Sequence, residues 1–498
     1  MNYRILARYI GFICIAIGIA MLPSAAWAVY FREWHAIEAL LASSVVCGVA
    51  GAILLWLGKG APNRIYEREA IGLVGLSWIV TSALGALPFY FAGSLGFIDA
   101  YFESASGFTT SGCTVIPDIE AMEKSILFWR SFTHWIGGIG IVIMFVAVLP
   151  YFGSGGKLIA KSEATGPSPS RLRPRFRKNA SLIVQVYSAF TVVFTIALMA
   201  AGMSFYDALC HTFGGLATGG FSNRQASAAA FESLLIELIL IACMIVGGTN
   251  FALFAEMGMG NWKALWRDSE WKLYITILVL ATVAITINLA GVRGDFPVGG
   301  ESYKPVDNHE THEVAHSLRI AAFHVVSCMT TTGFVTDDFD SWPYFSRMLL
   351  VVIMIFGGCA GSTGSGIKVV RVLMMLKVVY WRLESTFRPK TVRPLRIDGD
   401  VVSEDVQRRT SAFIYLYVMW FFMGCLFLSW LGLPFESAFT AMIATLNNIG
   451  PGLEHVGAIR DYHLIGAPGT MFLSITMLLG RLEMIAILVL FMPGFWRN

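Results

Sequence analysis

The chain has 498 residues, of which 56% are hydrophobic and only 14% are charged. Together with a mean hydropathy of +0.65, this composition excludes an ordinary soluble protein, in which about 25% charged residues are typical. The formal net charge of +3 does not indicate a nucleic-acid partner, and we expect none.

Ten apolar stretches are long enough to cross a bilayer, which requires about 20 consecutive apolar residues. They are residues 8–31, 37–57, 69–93, 125–150, 181–203, 232–256, 272–292, 344–377, 410–432 and 468–493. The stretch at 344–377 is interrupted by a glycine-rich segment. The first stretch follows Arg4 and Arg8 and ends in SAAWA (24–28), which is similar to a signal-peptide cleavage site, but its length predicts a retained helix.

Basic residues are concentrated in the loops on one side of these spans. Residues 153–180 carry seven Lys or Arg against one acid, residues 368–409 carry ten, and residues 59–68 carry three. By the positive-inside rule this side is the cytoplasm, and both termini lie there. The opposite loops lean acidic, and an acidic outer mouth would raise the local cation concentration.

Four short segments on the outer side repeat along the chain: 108–113 (FTTSGC), 216–221 (LATGGF), 329–334 (MTTTGF) and 446–451 (LNNIGP). Their aligned glycines are Gly112, Gly220, Gly333 and Gly450, spaced by 108, 113 and 117 residues. Each segment follows a run of about twelve residues that is too short to span a membrane. We therefore predict an all-α polytopic membrane protein with four parallel helix–pore-loop–helix repeats around a pseudo-fourfold pore, plus two extra N-terminal helices.

The repeats divide the chain into five parts: an N-terminal helix pair (1–60), repeat 1 (69–150), repeat 2 (180–258), repeat 3 with a gate loop (271–380) and repeat 4 (408–498). The register is the same in each repeat. An alanine lies twelve residues before each glycine, and an apolar side chain lies four residues before it. These residues are Ala100, Ala208, Ala321 and Ala438, and Phe108, Leu216, Met329 and Leu446.

Irregular backbone within a bilayer is tolerated only where it lines water or packs in protein, so the four segments are predicted to face a central aqueous path. Their carbonyls and hydroxyls are candidate ligands for a dehydrated cation. The candidate K⁺-binding residues are Thr109, Thr110, Ser111, Gly112, Ala217, Thr218, Gly219, Gly220, Thr330, Thr331, Thr332, Gly333, Asn447, Asn448, Ile449 and Gly450. Because no segment contains a carboxylate, a monovalent ion is favoured over Ca²⁺.

The interruption at 357–366 (GGCAGSTGSG) contains five glycines in ten residues and cannot hold a straight helix. We interpret it as a mobile loop below the four segments, with Arg481, a charge inside the last span, facing the pore. A packing kink of small residues is the alternative. The candidate gate residues are Gly357, Gly358, Gly361, Gly364, Gly366, Lys368 and Arg481. Arg130 and His134, at the start of the fourth span, are expected to be interfacial.

One motif competes with this interpretation. Residues 312–316 (HEVAH) match the HExxH pattern of zinc hydrolases, with His309 close by, which would make the chain a membrane metalloprotease. The motif lies in an outer loop with no catalytic domain around it, so we expect a solvated loop and no enzyme. The eight cysteines are scattered without a CxxC pair and are expected to be buried free thiols.

The glycine segments resemble those of the Trk/Ktr/HKT superfamily of potassium and sodium transport proteins, from about residue 69 to the end. The helix pair at 8–57 and the string at 157–167 (KLIAKSEATGP) are similar to the TrkH/TrkG branch of bacterial potassium uptake subunits rather than to the shorter KtrB branch. In the family the aligned glycines favour K⁺, and a serine in the first repeat is associated with Na⁺ permeability. Gly112 therefore implies K⁺ selectivity, whereas Ala217 and the fourth segment depart from the pattern.

The resemblance also implies an intramembrane gating loop, an arginine beneath the filter that contacts it, and K⁺ as the transported ion without an organic cofactor. It implies a homodimer in the bacterial inner (plasma) membrane and a TrkA-like nucleotide-binding cytosolic ring as partner. The chain has no GxxxxGK[ST] string and no GxGxxG string after a strand, so nucleotide control has to come from such a partner. The basic cytoplasmic loops offer a surface for this partner or for anionic membrane lipid.

The sequence leaves further alternatives open. The same architecture can conduct Na⁺ or a mixture of monovalent cations, and K⁺ movement can be coupled to H⁺ or Na⁺. A secondary transporter of an organic solute is the more distant alternative, because it requires inverted repeats whereas these repeats are parallel.

Overall fold

The computed structural model describes residues 1–62, 65–152, 172–291, 313–388, 395–398 and 400–497. The α-helices are α1 (Tyr3–Ala20), α2 (Leu22–Phe31), α3 (Trp34–Leu57), α4 (Glu67–Gly85), α5 (Leu87–Phe91), α6 (Phe97–Thr109), α7 (Lys124–Phe152), α8 (Leu172–Ala200), α9 (Phe205–Leu216), α10 (Leu234–Gly248), α11 (Phe251–Gly258), α12 (Ala264–Arg267), α13 (Ser269–Leu289), α14 (Val314–Met329), α15 (Tyr344–Ile355), α16 (Val369–Phe387), α17 (Glu404–Trp430), α18 (Phe435–Leu446), α19 (Gly466–Arg481), α20 (Ile485–Leu488) and α21 (Pro493–Trp496). Within these ranges the strands are β1 (Arg396–Ile397) and β2 (Asp400–Val401), which pair as an antiparallel hairpin. The predicted all-α class is confirmed.

Seven helical segments in the described ranges are long and apolar enough to cross a membrane. They are Tyr3–Phe31, Trp34–Leu57, Arg68–Phe91, Ser181–Ala200, Ser269–Leu289, Glu404–Trp430 and His463–Arg481. The three other predicted spans take different forms. Residues 125–150 lie within the 29-residue helix α7, residues 232–256 are bent, and residues 344–377 are divided between α15 and α16.

Two of the predicted spans are wrong as continuous helices. The stretch at 232–256 bends by 96° between α10 and α11, where Gly247 and Gly248 end one helix and the Asn250 side chain caps the next by accepting the Ala252 N–H at 2.9 Å. The stretch at 468–493 stops with α19 at Arg481, because the next turn passes through residues with positive φ, Glu483 and Met484.

Four short helices, α6, α9, α14 and α18, precede the four glycine segments. Each packs between two other helices of its own unit: α6 between α4 and α7, α9 between α8 and α10, α14 between α13 and α15, and α18 between α17 and α19. The helix that follows the glycine segment in each unit also contacts the short helix of the next unit, in the pairs α7–α9, α10–α14, α15–α18 and α19–α6. Because the fourth unit contacts the first in the same way, the four units close a ring.

The short helices are buried at the positions that the repeat register marked. Each alanine twelve residues before a glycine and each apolar residue four residues before it is at most 1% exposed. The N-terminal helices lie outside the ring, with α1 packed on α3 and α4, and α2 packed on α7. Gly11 permits the close approach of α1 and α3, because a Cβ there would lie 2.9 Å from the Gly51 carbonyl oxygen.

Candidate functional site

The four short helices end in the same backbone turn. A residue in the left-handed conformation, with φ between 54° and 61°, lies two positions before each aligned glycine: Thr110, Thr218, Thr331 and Asn448. The residue after it donates its N–H to the carbonyl five positions back, at 2.7–2.8 Å, in the pairs Ser111–Ser106, Gly219–Gly214, Thr332–Ser327 and Ile449–Ala444. This is the long bond of a Schellman helix end. One local structure is therefore built four times from different residues.

The aligned glycines are required by both conformation and space. Their φ angles are 75° at Gly112, 77° at Gly220, 83° at Gly333 and 102° at Gly450, where L-residues with a Cβ are strained. A Cβ at Gly112 would collide with the carbonyl oxygen of Gly219, one at Gly220 with that of Thr332, and one at Gly333 with that of Ile449. A Cβ at Gly450 would lie 3.0 Å from the carbonyl oxygen of Ser111.

These four contacts follow one rule. Each aligned glycine faces the carbonyl of the residue just before the aligned glycine of the next segment, and the fourth segment returns to the first. The segments therefore touch in the chain order 1–2–3–4–1, with their main-chain oxygens packed around one axis. The structure brings all four predicted segments together.

A single outer cavity of about 70 Å³ borders all four aligned glycines. The charged residues in its wall are Arg130, Arg224, Arg460 and Asp461. The wall is thus not acidic, in contrast to the expectation for the outer mouth. Glu103, which lies in α6 before the first glycine segment, is fully buried and forms an ion pair with Arg130 at 2.6 Å.

The other predicted cation-binding residues lie beside the glycines and are at most 1% exposed: Thr109, Thr110, Ser111, Ala217, Thr218, Thr330, Thr331, Thr332, Asn447, Asn448 and Ile449. Several of their hydroxyls are engaged by protein. The Thr109 hydroxyl donates to the Ala105 carbonyl at 2.6 Å, and the Thr330 hydroxyl donates to the Val326 carbonyl at 2.7 Å. Main-chain carbonyls are therefore the oxygens that the segments have in common.

The fourth segment, which departs from the others in sequence, is held by side-chain amides. Asn447 exchanges hydrogen bonds with the Tyr417 hydroxyl at 2.8 and 3.1 Å. The Asn448 amide contacts the Ser111 hydroxyl and lies 3.2 Å from the Ser365 hydroxyl. Asparagine thus occupies the space of the usual hydroxyl residues without disturbing the common turn.

Residues 356–368, which we call the inner loop, connect α15 to α16. Its ends are joined, because the Gly357 N–H donates to the Ile367 carbonyl at 3.0 Å. Its middle is held by the Thr363 hydroxyl, 2.9 Å from both the Leu216 and the Gly247 carbonyl oxygens, and by the Ser365 N–H, which donates to the Thr331 hydroxyl at 2.9 Å.

The inner loop and the outer cavity lie at opposite ends of the glycine segments. The loop contacts Leu216, Thr331 and Asn448, which precede the aligned glycines by two to four positions. The cavity borders the glycines themselves and residues that follow them, such as Cys113 and Phe221. A path along the axis from the cavity therefore passes the glycines first and the inner loop second.

Both basic residues predicted to accompany this loop are buried against it. Arg481 is 3% exposed, and its Nη1 donates to the Thr363 carbonyl at 2.7 Å and the Ser365 hydroxyl at 2.9 Å, while Nη2 donates to the Gly137 carbonyl at 3.3 Å. Lys368 is 5% exposed and donates to the Gly364 carbonyl. Arg481 thereby links the inner loop to helices of the first and fourth units.

The expectation that Arg130 and His134 are interfacial is wrong. Arg130 is 2% exposed, donates to the Ser222 carbonyl at 2.9 Å, and stacks 3.5 Å above the centre of the Phe221 ring. Nδ1 of His134 lies 2.7 Å from the Gly107 carbonyl oxygen, and Nε2 accepts the Phe221 N–H at 3.2 Å. Both side chains support the backbone just beyond Gly220. The one signal in the sequence was a charged residue within an apolar run.

The HExxH motif lies mostly outside the described residues, which exclude His309 and His312. His316 is exposed at the start of α14. Within the ranges that the structure describes, no group of three or more His, Cys, Asp or Glu side chains could hold a metal ion. The cysteines in these ranges are free, and all but Cys425 are buried, as expected.

The chain is similar along its whole length to known transport proteins. Residues 36–497 match the TrkH family, described as a cation transport protein. The Trk system potassium uptake protein TrkH of Salmonella typhimurium is 34% identical over 504 residues and all of both chains, and TrkG of Escherichia coli K12 is 28% identical over all of this chain. The crystal structure of the potassium transporter TrkH from Vibrio parahaemolyticus superposes with a TM-score of 0.88, with 32% identity and full coverage of both chains.

Proposed function

Because this chain belongs to the TrkH family of cation transport proteins, a family of multi-pass membrane transporters and not of enzymes, we propose that it takes up potassium ions through the ring of four glycine segments. The relatives in Salmonella and Escherichia carry the name of potassium uptake proteins. K⁺ is then the transported ion, and the chain has no need of an organic cofactor.

The observation that carries this proposal is the closed ring of glycine–carbonyl contacts. Main-chain oxygens that surround one axis can replace the hydration shell of a monovalent cation. The carboxyl ends of α6, α9, α14 and α18 meet at the same place, and each contributes partial negative charge of the helix dipole. We assign ion binding to the sixteen residues Thr109–Thr110–Ser111–Gly112, Ala217–Thr218–Gly219–Gly220, Thr330–Thr331–Thr332–Gly333 and Asn447–Asn448–Ile449–Gly450.

We further propose that the inner loop is the gate. It lies across the inner end of the four segments and is held by Arg481, whose positive charge adds an electrostatic barrier to a cation. The residues assigned to this role are Gly357, Gly358, Gly361, Gly364, Gly366, Lys368 and Arg481. Glycines suit a segment that changes conformation, because their backbone is the least restricted.

The repeat assignment, the orientation and the location belong to the same proposal. Repeats 1 to 4 are residues 69–150, 180–258, 271–380 and 408–498, and residues 1–60 form the additional helix pair. The basic residues of 59–68 and 368–409 support a cytoplasmic position for both termini. The membrane is the inner (plasma) membrane of a bacterial cell.

The relatives are named as parts of a Trk system, which implies further components. We propose a homodimer that binds a TrkA-like cytosolic nucleotide-binding ring, with the basic cytoplasmic segments as docking surface and anionic lipid as their other contact. A Na⁺ or mixed-cation pathway through the same ring is the second candidate, because the fourth segment carries asparagines where the third carries threonines.

The test compares Gly112→Ser with Gly432→Ser in cells that lack other potassium uptake systems. Gly112 faces the Gly219 carbonyl, whereas Gly432 also has a positive φ, of 98°, but has nothing within 4 Å of an added Cβ. We expect Gly112→Ser to lower the ratio of Rb⁺ to Na⁺ uptake and Gly432→Ser to leave it unchanged. An equal ratio of Rb⁺ to Na⁺ uptake in the wild-type protein and in both variants would refute the assignment of the ring as selectivity filter.

A further inference from the structure

Glu270 is a buried carboxylate that holds the inner loop and the start of α16. It lies in the first turn of α13, outside the four glycine segments, and is 7% exposed. Its Oε1 accepts the Ala360 N–H at 2.7 Å and the Val370 N–H at 3.0 Å. One oxygen atom therefore joins α13 to the inner loop and to the start of the helix that follows it.

The two hydrogen bonds have different consequences. Val370 is the second residue of α16, and its N–H is one of the amides that a helix leaves without a partner at its N-terminus. The N-cap residue of α16, Lys368, makes no side-chain capping bond, so Glu270 caps this helix from another one. Ala360 lies within the loop itself, so its bond is lost when that part of the loop moves away from α13.

Glu270 and Arg481 form a complementary pair of anchors. Arg481 donates to the Thr363 carbonyl and the Ser365 hydroxyl, and Glu270 accepts from the Ala360 N–H. The cation belongs to the fourth unit and the carboxylate to the third. The loop between them is thus held at two places by charged side chains, whose hydrogen bonds are stronger than those between neutral groups.

We propose that Glu270 is a positioning residue that latches the inner loop in its closed conformation, and that opening breaks its bond to Ala360. This inference rests on the proposed role of the loop as gate. Glu270 does not contact the glycine segments in this arrangement, so its loss changes the flux of ions without changing which ion passes.

The test is Glu270→Gln in the full-length protein, purified and placed in liposomes without a regulatory partner. Glutamine keeps the size of the side chain but replaces two charge-assisted hydrogen bonds with weaker ones. We expect basal Rb⁺ flux to rise roughly threefold to tenfold with an unchanged Rb⁺/Na⁺ ratio. The matched control is Glu404→Gln, also in the first turn of a helix but 84% exposed, which should leave the flux unchanged.

A second readout comes from the loop itself. Cys359 precedes Ala360 and is 1% exposed, so its reaction with N-ethylmaleimide, followed by mass spectrometry of the peptide, reports release of the loop. Labelling of Cys359 should be faster in Glu270→Gln than in the wild-type protein or in Glu404→Gln. If Glu270→Gln does not fold, Glu270→Asp keeps the charge but shortens the reach, and it should raise labelling and flux to a smaller extent.

Unchanged flux together with unchanged Cys359 labelling in the folded variant overturns the latch. A changed Rb⁺/Na⁺ ratio also overturns it, because the residue would then act on selectivity. If the wild-type protein shows no preference for Rb⁺ over Na⁺, the assignment of the ring as selectivity filter is refuted instead. Cys359 labelling then still decides whether Glu270 holds the loop.

Discussion

The ring of glycine segments and the inner loop below it are built in different ways. The ring repeats one main-chain turn four times, and its contacts join glycines to carbonyl oxygens of neighbouring segments. The inner loop occurs once, and side chains such as Arg481, Glu270 and Thr363 hold it. A repeated, interlocked backbone has little freedom to move, whereas a loop held by a few side chains can be released one contact at a time. In the proposed function, selection and gating are therefore assigned to two structures that are built differently.

The largest effect is expected for Gly333→Ala, which should nearly abolish Rb⁺ uptake. The added Cβ would strain a backbone with φ of 83° and collide with the Ile449 carbonyl oxygen. Gly432→Ala is the control, because its φ is 98° but the surrounding space is open. Gly450→Ala should retain more uptake than Gly333→Ala, since its nearest carbonyl is 3.0 Å away. Equal uptake by Gly333→Ala and Gly432→Ala would contradict the interlocked ring.

Arg481→Gln should raise the flux of Rb⁺ through the protein and not lower it. This change weakens the bonds to Thr363 and Ser365 and removes a buried positive charge from the path; hydrogen bonds to a charged group contribute about 1.5–3 kcal/mol each. We expect basal Rb⁺ efflux from liposomes to rise about tenfold or more. Arg408→Gln, at a residue paired only on the surface, is the control. Reduced efflux in Arg481→Gln would show that the arginine supports conduction and is not a barrier to it.

Shortening the inner loop within 357–366 should also raise the leak of Rb⁺. The deletion removes the part that spans the inner end of the segments while leaving the glycine ring intact. Flux equal to that of the original protein would contradict the assignment of the loop as gate, whatever the result for the ring.

The support behind the ring should be tested by stability. Glu103 and Arg130 are paired at 2.6 Å with side chains 0% and 2% exposed, and breaking a buried pair leaves an uncompensated charge. Glu103→Gln should lower the free energy of unfolding in detergent by about 3–5 kcal/mol. Glu404→Gln breaks the exposed pair with Arg408 and should cost less than about 1 kcal/mol. Similar losses in both variants would mean that the buried pair does not stabilise the ring.

The smallest effect is expected at Asp340, in the loop between α14 and α15 of the third unit. Burial raises the pKa of this carboxyl to about 6, and its Oδ1 accepts the Glu454 N–H at 3.1 Å. Because the pKa is raised on folding, the stabilisation from this group is full below about pH 4 and is lost as the pH rises through 6. As the pH rises from 4 to 7, the midpoint of thermal unfolding of the wild-type protein should therefore fall slightly relative to that of Asp340→Asn. A constant difference across this range would contradict the raised pKa.

Sequence reasoning could locate the ring because its determinants are local and repeated. Four glycines in register, each after a short apolar helix, were sufficient to predict which residues meet.

The bend at Asn250 was missed although Gly247, Gly248 and an N-capping asparagine marked it. Hydropathy alone does not detect the break, because the residues on both sides of it are apolar. The burial of Arg130 and Glu103 could not be predicted, since their pairing joins a short helix to the long helix after it and depends on tertiary packing. Glu270 lies 90 residues from Ala360 along the chain, so the spacing gave no signal for its contact with the loop. The contact of Arg481 with the loop was expected only from the family resemblance.

The most direct test of the central claim is the position of a bound alkali cation. Crystals or cryo-cooled samples of the protein in Rb⁺ can be examined for anomalous or difference density. The account predicts density on the axis among the main-chain oxygens of the segments that contain Gly112, Gly220, Gly333 and Gly450, above the inner loop. Density elsewhere in the molecule, with none inside the ring, would contradict it.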